Sequence, residues 1–402
     1  MTFEPTDPNV DGYFLTYVYT DCREIPVVMP ARDTEGRLLP APPLSLEPEV
    51  RPAPLAALGL KQGMPTDFHF VRNHFGVPLI DHSRVTLELG GAVTRELNLS
   101  LRELLGRPSR SLTVVLECAG HRRKEFSPAT AGLPWSTGAV SEARWTGVPL
   151  ADLLAEVQPS ARVCEVLFEG CDRGVHRTAS DEVPFSRSIP FERARYGDVL
   201  IAWAMNGAPI PPELGGPVRA IVPGCYAVDS VKWLRRIEVR ERPFLGPFQA
   251  QDYRLIGVNG SANGEAVHEL RISSLILEPE AGAVVTSDRV EVSGVAWAGR
   301  NGVASVEVRL RGGSWRPAML APQWERYGFT HWSDTVAAPP GNHEIEARAV
   351  DQSGNVQPER PEWNVFGYAN NSIHGIPISI TSRGRAVKSS SREPSSSRVI
   401  RG

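Results

Sequence analysis

The stretch VVLECAGHRR, residues 114–123, governs how the rest of the chain is read. An apolar run of strand length gives way at Cys118 to Ala-Gly and then to His-Arg-Arg, so a buried strand ends there and the backbone turns. A cysteine in that position can pack as a small apolar group, attack as a nucleophile or ligate a metal. Ala119-Gly120 permits the turn. Arg122-Arg123 bring two permanent cations that favour thiolate at Cys118 and an anion close by. A single thiolate holds a metal only with further ligands. No His/Cys cluster elsewhere in the chain supplies them, so a metal here needs a cofactor that carries its own.

Flanking segments repeat the pattern of short buried elements. LTVVLE (112–117) and CEVLFEG (164–170) read as buried strands, VPLADLLAEV (148–157) has helical spacing, and WLRRIEVRERP (233–243) reads as a closing strand. Beyond about residue 262 the character changes. RVEVSGVAWAG (289–299) alternates Val290 and Val292 with polar neighbours, and GRNG signals a turn. VEVRL (306–310) and HEIEARAVD (343–351) then alternate again. Strict alternation over short runs predicts a β-sandwich of immunoglobulin type, without the paired cysteines of antibody domains. The expected organisation is α+β: an extended Pro-rich arm over 1–55, a mixed α/β domain over 56–262, a sandwich over 263–381 and a disordered tail over 382–402.

Composition narrows the function classes. The 402 residues carry a net charge of −3, with 41% hydrophobic and 22% charged residues. That balance steers the chain to neither nucleic acid nor an anionic membrane, and no run approaches the ~18 apolar residues of a membrane span. Five cysteines (Cys22, Cys118, Cys164, Cys171 and Cys225), none in CxxC spacing, argue against a disulfide framework or a structural zinc site. The N-terminus lacks a basic, apolar secretion signal, so a cytoplasmic location is the expectation. A mature exported chain would read the same way.

Three other stretches carry chemistry. In DFHFVRNHFGVPLID (67–81), Arg72-Asn73-His74 is either a polar turn or a cationic fork suited to an oxyanion. In GGPVRAIVPGCYAVDSVKWLRRIEV (215–239), Arg219 lies inside an apolar run, a costly place for an unpaired charge. Ser230 and Lys232 follow, and Lys232 reads equally as a solvated cation. In GLPWSTGAVSEARWTGVPLADLL (132–154), Trp135 and Trp145 would serve as core aromatics or as site walls.

Taken in order, FVRNH (70–74), CAGHRR (118–123), GLPW (132–135), ARWTGVPL (143–150), MNGAPIPP (205–212), GPVRAIVPG (216–224), SVKW (230–233) and QAQDY (249–253) resemble the sulfite oxidase family of molybdenum-cofactor enzymes. The resemblance covers about residues 60–380. VDQSGNVQP and the closing W-N-x-x-G-Y-x-N-N are similar to the family's dimerisation domain. What the resemblance implies is a domain holding one molybdopterin-bound molybdenum, then an immunoglobulin-like domain that pairs two subunits. Cys118 falls on the metal ligand. Phe70, Val71, Arg72, Asn73, His74, Asp172, Arg219, Ser230, Val231 and Lys232 fall on pterin and phosphate contacts. Arg72, Arg123, Trp135 and Tyr253 fall on the oxyanion pocket.

Three positions depart from the family pattern: His121 where Asn is common, Ala131 where a Lys commonly precedes GLPW, and Leu214 where a His is usual. The first two alter charge and donors in front of the metal, and the third removes one cofactor contact. No CxxCH motif or cytochrome b5-like region is present, so no haem is expected in this chain. Electrons would pass to a separate cytochrome, to oxygen or to another oxidant. The expected activity is oxygen-atom transfer to sulfite or a similar small anion by a homodimer. Reduction of S-oxides or N-oxides at the same centre is the alternative, and a hydrolase using Cys118 activated by His121 is the reading from another enzyme class.

Overall fold

In the computed structural model the described residues are 45–381, apart from 47, 62, 259, 260, 323 and 324. Most of the expected arm and the whole expected tail therefore lie outside them.

Two five-stranded sheets build the first domain. One runs Ala208–Pro209, Leu200–Met205, Val140–Pro149, Arg110–Glu117, with Arg219–Ile221 also paired to Leu200–Met205. The other runs Leu97–Ser100, Thr86–Gly91, Leu234–Arg240, Glu165–Val175, Glu182–Pro190. The expected closing strand, Leu234–Arg240, is instead the central one. It pairs parallel with Thr86–Gly91 and antiparallel with Glu165–Val175, and its alternating Leu234, Ile237 and Val239 are buried. Helix Leu150–Val157 packs Leu150, Leu153, Leu154 and Val157 inward, the i, i+3, i+4, i+7 face of the sequence pattern. A small sheet of Ser45–Leu46, Glu49–Arg51 and Val71–Arg72 fixes the strand that carries Arg72.

The second domain is a sandwich of a four-stranded and a five-stranded sheet, the immunoglobulin-like fold that the alternation predicts. Val290, Val292, Val306, Val308, Ile345, Ala347 and Ala349 all point into its core. The first domain's core does not stop at the boundary. Leu275, Trp297, Tyr327, Phe329, Phe366 and Tyr368 of the second domain belong to it. Val115 N–H donates to Tyr327 O at 2.8 Å, so the free edge of strand Arg110–Glu117 is covered by the neighbouring domain. Among the described residues no helix is long and apolar enough to cross a membrane.

Candidate active site

Strand Arg110–Glu117 delivers Cys118 to the junction of two cavities, and its side chain lines both. The turn behind it is built by the sequence. His121 N–H donates to Cys118 O at 2.9 Å, and a Cβ on Gly120 would stand 2.5 Å from Arg123 Nη2, so only glycine lets that guanidinium fold back. The second domain holds the turn from outside. Ala369 N–H donates to Ala119 O at 2.8 Å and Asn370 Nδ2 to Arg122 O at 3.0 Å.

The two arginines of the motif part company here. Arg122, in the left-handed region at φ 57°, points away from both cavities. It donates to Ser372 O at 2.6 Å and Ile373 O at 3.0 Å and pairs with Glu125. Arg123 lines the outer cavity, with Nε on Phe366 O at 2.7 Å and Nη1 on Leu133 O at 2.9 Å.

The inner cavity has a volume of about 60 Å³. Phe70, Arg72, Asn73, His74, Asp172, Arg219, Ser230, Val231 and Lys232 line it together with Cys118. Val71 does not: its side chain is fully buried in the core, because strand alternation turns it away from Phe70 and Arg72. Leu214 also lines the cavity, and its carbonyl accepts from Arg219 Nη1 at 2.6 Å. Lys232 is not a solvated cation. It donates to Asn73 Oδ1 at 2.6 Å and Glu213 O at 2.8 Å.

Neither Arg219 nor Lys232 has a carboxylate partner among the described residues. Burial lowers the first to about 9 and the second well below its ordinary range. Asp172, at an irregularity of strand Glu165–Val175, is pushed up to about 7 by burial. His69, which sequence reasoning passed over, also lines the cavity. Its Nδ1 bonds Phe70 O at 2.9 Å, and burial lowers it to about 3. Four buried polar atoms of these walls lack any partner: His69 Nε2, Asn73 Nδ2, Asp172 Oδ1 and Arg219 Nε. Buried cations and orphaned donors and acceptors of both kinds are the complement of a heterocycle bearing a phosphate.

The outer cavity, of about 230 Å³, is lined by the predicted set Arg72, Cys118, Arg123, Trp135 and Tyr253. Trp135 Nε1 is a buried donor without a partner. Tyr253 Oη lies 2.7 Å from His74 Nε2, and its ring stacks on Tyr368 at 5.0 Å. Burial holds the phenol well above its usual range and His74 well below, so a neutral phenol meets a neutral imidazole. The sequence reading missed His176, Arg177, Asp252 and Tyr368. Asp252 accepts from His176 Nε2 at 3.0 Å and Arg177 Nη2 at 2.7 Å.

His121 lines neither cavity. Its Nδ1 faces Glu117 Oε1 at 2.9 Å and its Nε2 faces Thr137 O at 3.1 Å, while Trp297 Nε1 donates to Glu117 Oε2 at 2.8 Å. Both ring nitrogens are committed to acceptors, so His121 is no base for Cys118, and the hydrolase reading fails on geometry. For the same reason its departure from Asn leaves the pocket unchanged. Among the described residues no group of three His, Cys, Asp or Glu could hold a metal, and Cys118 is the thiol at the cavity junction.

A single cysteine at the meeting of a polar, cationic inner cavity and an arginine-lined outer one defines a molybdopterin-binding oxidoreductase. The model of the oxidoreductase molybdopterin binding domain matches residues 74–248, and that of the Mo-co oxidoreductase dimerisation domain matches 264–381. Sulfite oxidase of Gallus gallus is 37% identical over 338 residues, covering 77% of this chain and 72% of its own. The mitochondrial sulfite oxidase of Homo sapiens is 36% identical over 79% of this chain, which spans 62% of that protein's length. The crystal structure of the sulfane dehydrogenase SoxCD from Paracoccus pantotrophus superposes with a TM-score of 0.70 at 25% identity, over 82% of this chain and 84% of that one. The chain belongs to the sulfite oxidase family.

Proposed function

We propose that this protein oxidises sulfite, or a closely similar small oxyanion of sulfur, and passes the electrons to a separate acceptor, acting as a homodimer through its second domain. The observation that carries the reading is the position of Cys118, whose side chain lines both the cofactor cavity and the arginine-lined cavity in front of it. Two relatives of the chain are sulfite oxidases by name, and its structural neighbour is a sulfane dehydrogenase.

The bound cofactor would supply a metal that accepts two electrons and exchanges one oxygen atom. Cys118 would be its protein ligand. Arg219, Lys232, Asn73, Asp172 and His69 would hold the pterin and its phosphate, which would satisfy the orphaned atoms of the inner wall. In front, Arg72, Arg123 Nη2 and Trp135 Nε1 hold the anion with its sulfur toward Cys118. Fixed donors placed before the reaction need no reorganisation during it. Tyr253 Oη, kept protonated by burial, accepts from His74 when the Nε2–H tautomer is present, which leaves its own proton to donate to an oxygen of the anion.

The reading is tested with the molybdenum-loaded enzyme, sulfite and ferricyanide. Expected are turnover by the parent and its loss, by about three orders of magnitude or more, in Cys118→Ser. Unimpaired turnover in Cys118→Ser, or no turnover in a parent shown to hold molybdenum, would overturn it.

A further inference from the structure

We propose that the outer cavity accepts organic sulfinates, R–SO2−, in addition to inorganic sulfite, with the group R seated on its aromatic wall. The proposal rests on the reading of oxidation at sulfur given above.

The cavity is divided in its chemistry. Near Cys118 the donors left for a ligand are those of Arg72 other than Nη1, which donates to Asn73 O, together with Arg123 Nη2 and Trp135 Nε1, enough for one anionic head. The other charges are already matched: Arg177 and His176 are spent on Asp252, and two nitrogens of Arg123 on carbonyls. Beside these donors Phe75, Phe248 and the ring of Tyr368, which the Arg123 guanidinium overlies at 5.1 Å, supply an aromatic wall, and Val175, which also lines the cavity, is 67% exposed. The space of about 230 Å³ in front of Cys118 exceeds what an ion as small as sulfite fills. A site with one charged end and one aromatic side complements an amphiphilic monoanion.

Oxidation at sulfur selects among such anions. The sulfur must keep a lone pair, which sulfonates and sulfate esters lack, and the molecule must carry a charge, which sulfoxides lack. Sulfinates have both. The step balances as R–SO2− + H2O → R–SO3− + 2 H+ + 2 e−. The sulfur lone pair becomes the new S–O bond, the oxygen derives from water, and the electrons leave to an external one-electron acceptor, which ferricyanide replaces in the assay.

The experiment compares sulfite, methanesulfinate and benzenesulfinate with the molybdenum-loaded full chain and ferricyanide, sulfonate being identified by mass. Benzenesulfinate should exceed methanesulfinate in kcat/KM by roughly tenfold, from burial of the ring. Phe75→Ala should shrink that ratio by about two- to tenfold. Oxidation of sulfite but of neither sulfinate, a benzene-to-methane ratio near one, or a ratio untouched by Phe75→Ala would each overturn the proposal while leaving sulfite oxidation intact. Failure on all three substrates by a molybdenum-containing enzyme would overturn both.

Discussion

The two cavities that meet at Cys118 are built on opposite principles. The inner one buries Arg219 and Lys232 with no carboxylate to answer them and leaves polar atoms of four residues without partners. The outer one pairs Arg177 and His176 with Asp252, leaves Arg72 and Arg123 without a carboxylate among the described residues, and covers most of the rest with aromatic rings. A buried, uncompensated cation is destabilising unless something anionic accompanies it. The inner cavity is therefore shaped for an occupant that stays, and the outer one for a molecule that comes and goes. The same residue type, arginine, serves both purposes. Arg219 and Arg123 each spend two nitrogens on backbone carbonyls and keep one, Nε and Nη2, and what separates them is that Arg219 lines the inner cavity and Arg123 the outer one.

The contrast breaks most sharply if the two arginines are exchanged for methionine one at a time. Arg219→Met removes a charge-assisted contact to a permanent group, each such bond contributing about 1.5–3 kcal/mol. Purified Arg219→Met should hold at least about tenfold less molybdopterin than the parent, measured as pterin and molybdenum per chain. Full cofactor content in that variant would remove the distinction between the cavities.

Arg123→Met should leave cofactor content near that of the parent and raise KM for sulfite by roughly ten- to a hundredfold, with a smaller change in kcat. Steady-state kinetics on enzyme of matched molybdenum content checks it. A fall in kcat with KM unchanged would mean that Arg123 acts only on the reacting state.

Much of this division was open to sequence reading, and the reason it was not all open is physical. Of the inner cavity, Arg219 is the charge that an apolar run makes conspicuous, whereas FVRNH and SVKW read equally as a polar turn and a solvated strand and take their place in the site from the family resemblance. Even so, alternation assigns Val71 to the core, and His69 escaped because a histidine amid phenylalanines reads as packing. The sandwich was legible because period-two alternation is a local signal. Leu234–Arg240 was placed at the end of the domain because it comes last in sequence, but its pairing with Thr86–Gly91 is non-local. The outer cavity draws His176, Arg177, Asp252 and Tyr368 from separate loops and from the second domain, where no spacing rule operates. The two arginines of CAGHRR diverge because Arg122 takes a left-handed conformation, which a one-letter code does not display.

The smallest expected effect tests how dry the inner cavity is. His69 is lowered to about 3, and His74 and His374 lie well below their ordinary value, all three by burial. Unfolded histidine binds its proton near pH 6.5, so below that pH the unfolded chain holds more protons than the folded one, and stability falls as pH falls. For His69 the window runs from about 6.5 down to about 3. Asp172 works the other way: raised to about 7, it binds its proton in the folded state first, so its contribution falls as pH rises from its unfolded value toward 7. His331 is lowered by burial as well, and Glu142 is raised by burial, so four histidines against two carboxyls leave a net loss of stability on acidification between pH 6 and 5. Each histidine adds roughly 1.4 kcal/mol per pH unit at most. His69→Phe, which keeps the stacking on Phe70, should flatten the slope of unfolding free energy between pH 6 and 5 by about that amount, read from urea denaturation at each pH. An unchanged slope would mean that His69 is protonated in the folded protein. In that case water reaches the inner wall, and the division between a cofactor cavity and a substrate cavity would fail where it is most specific.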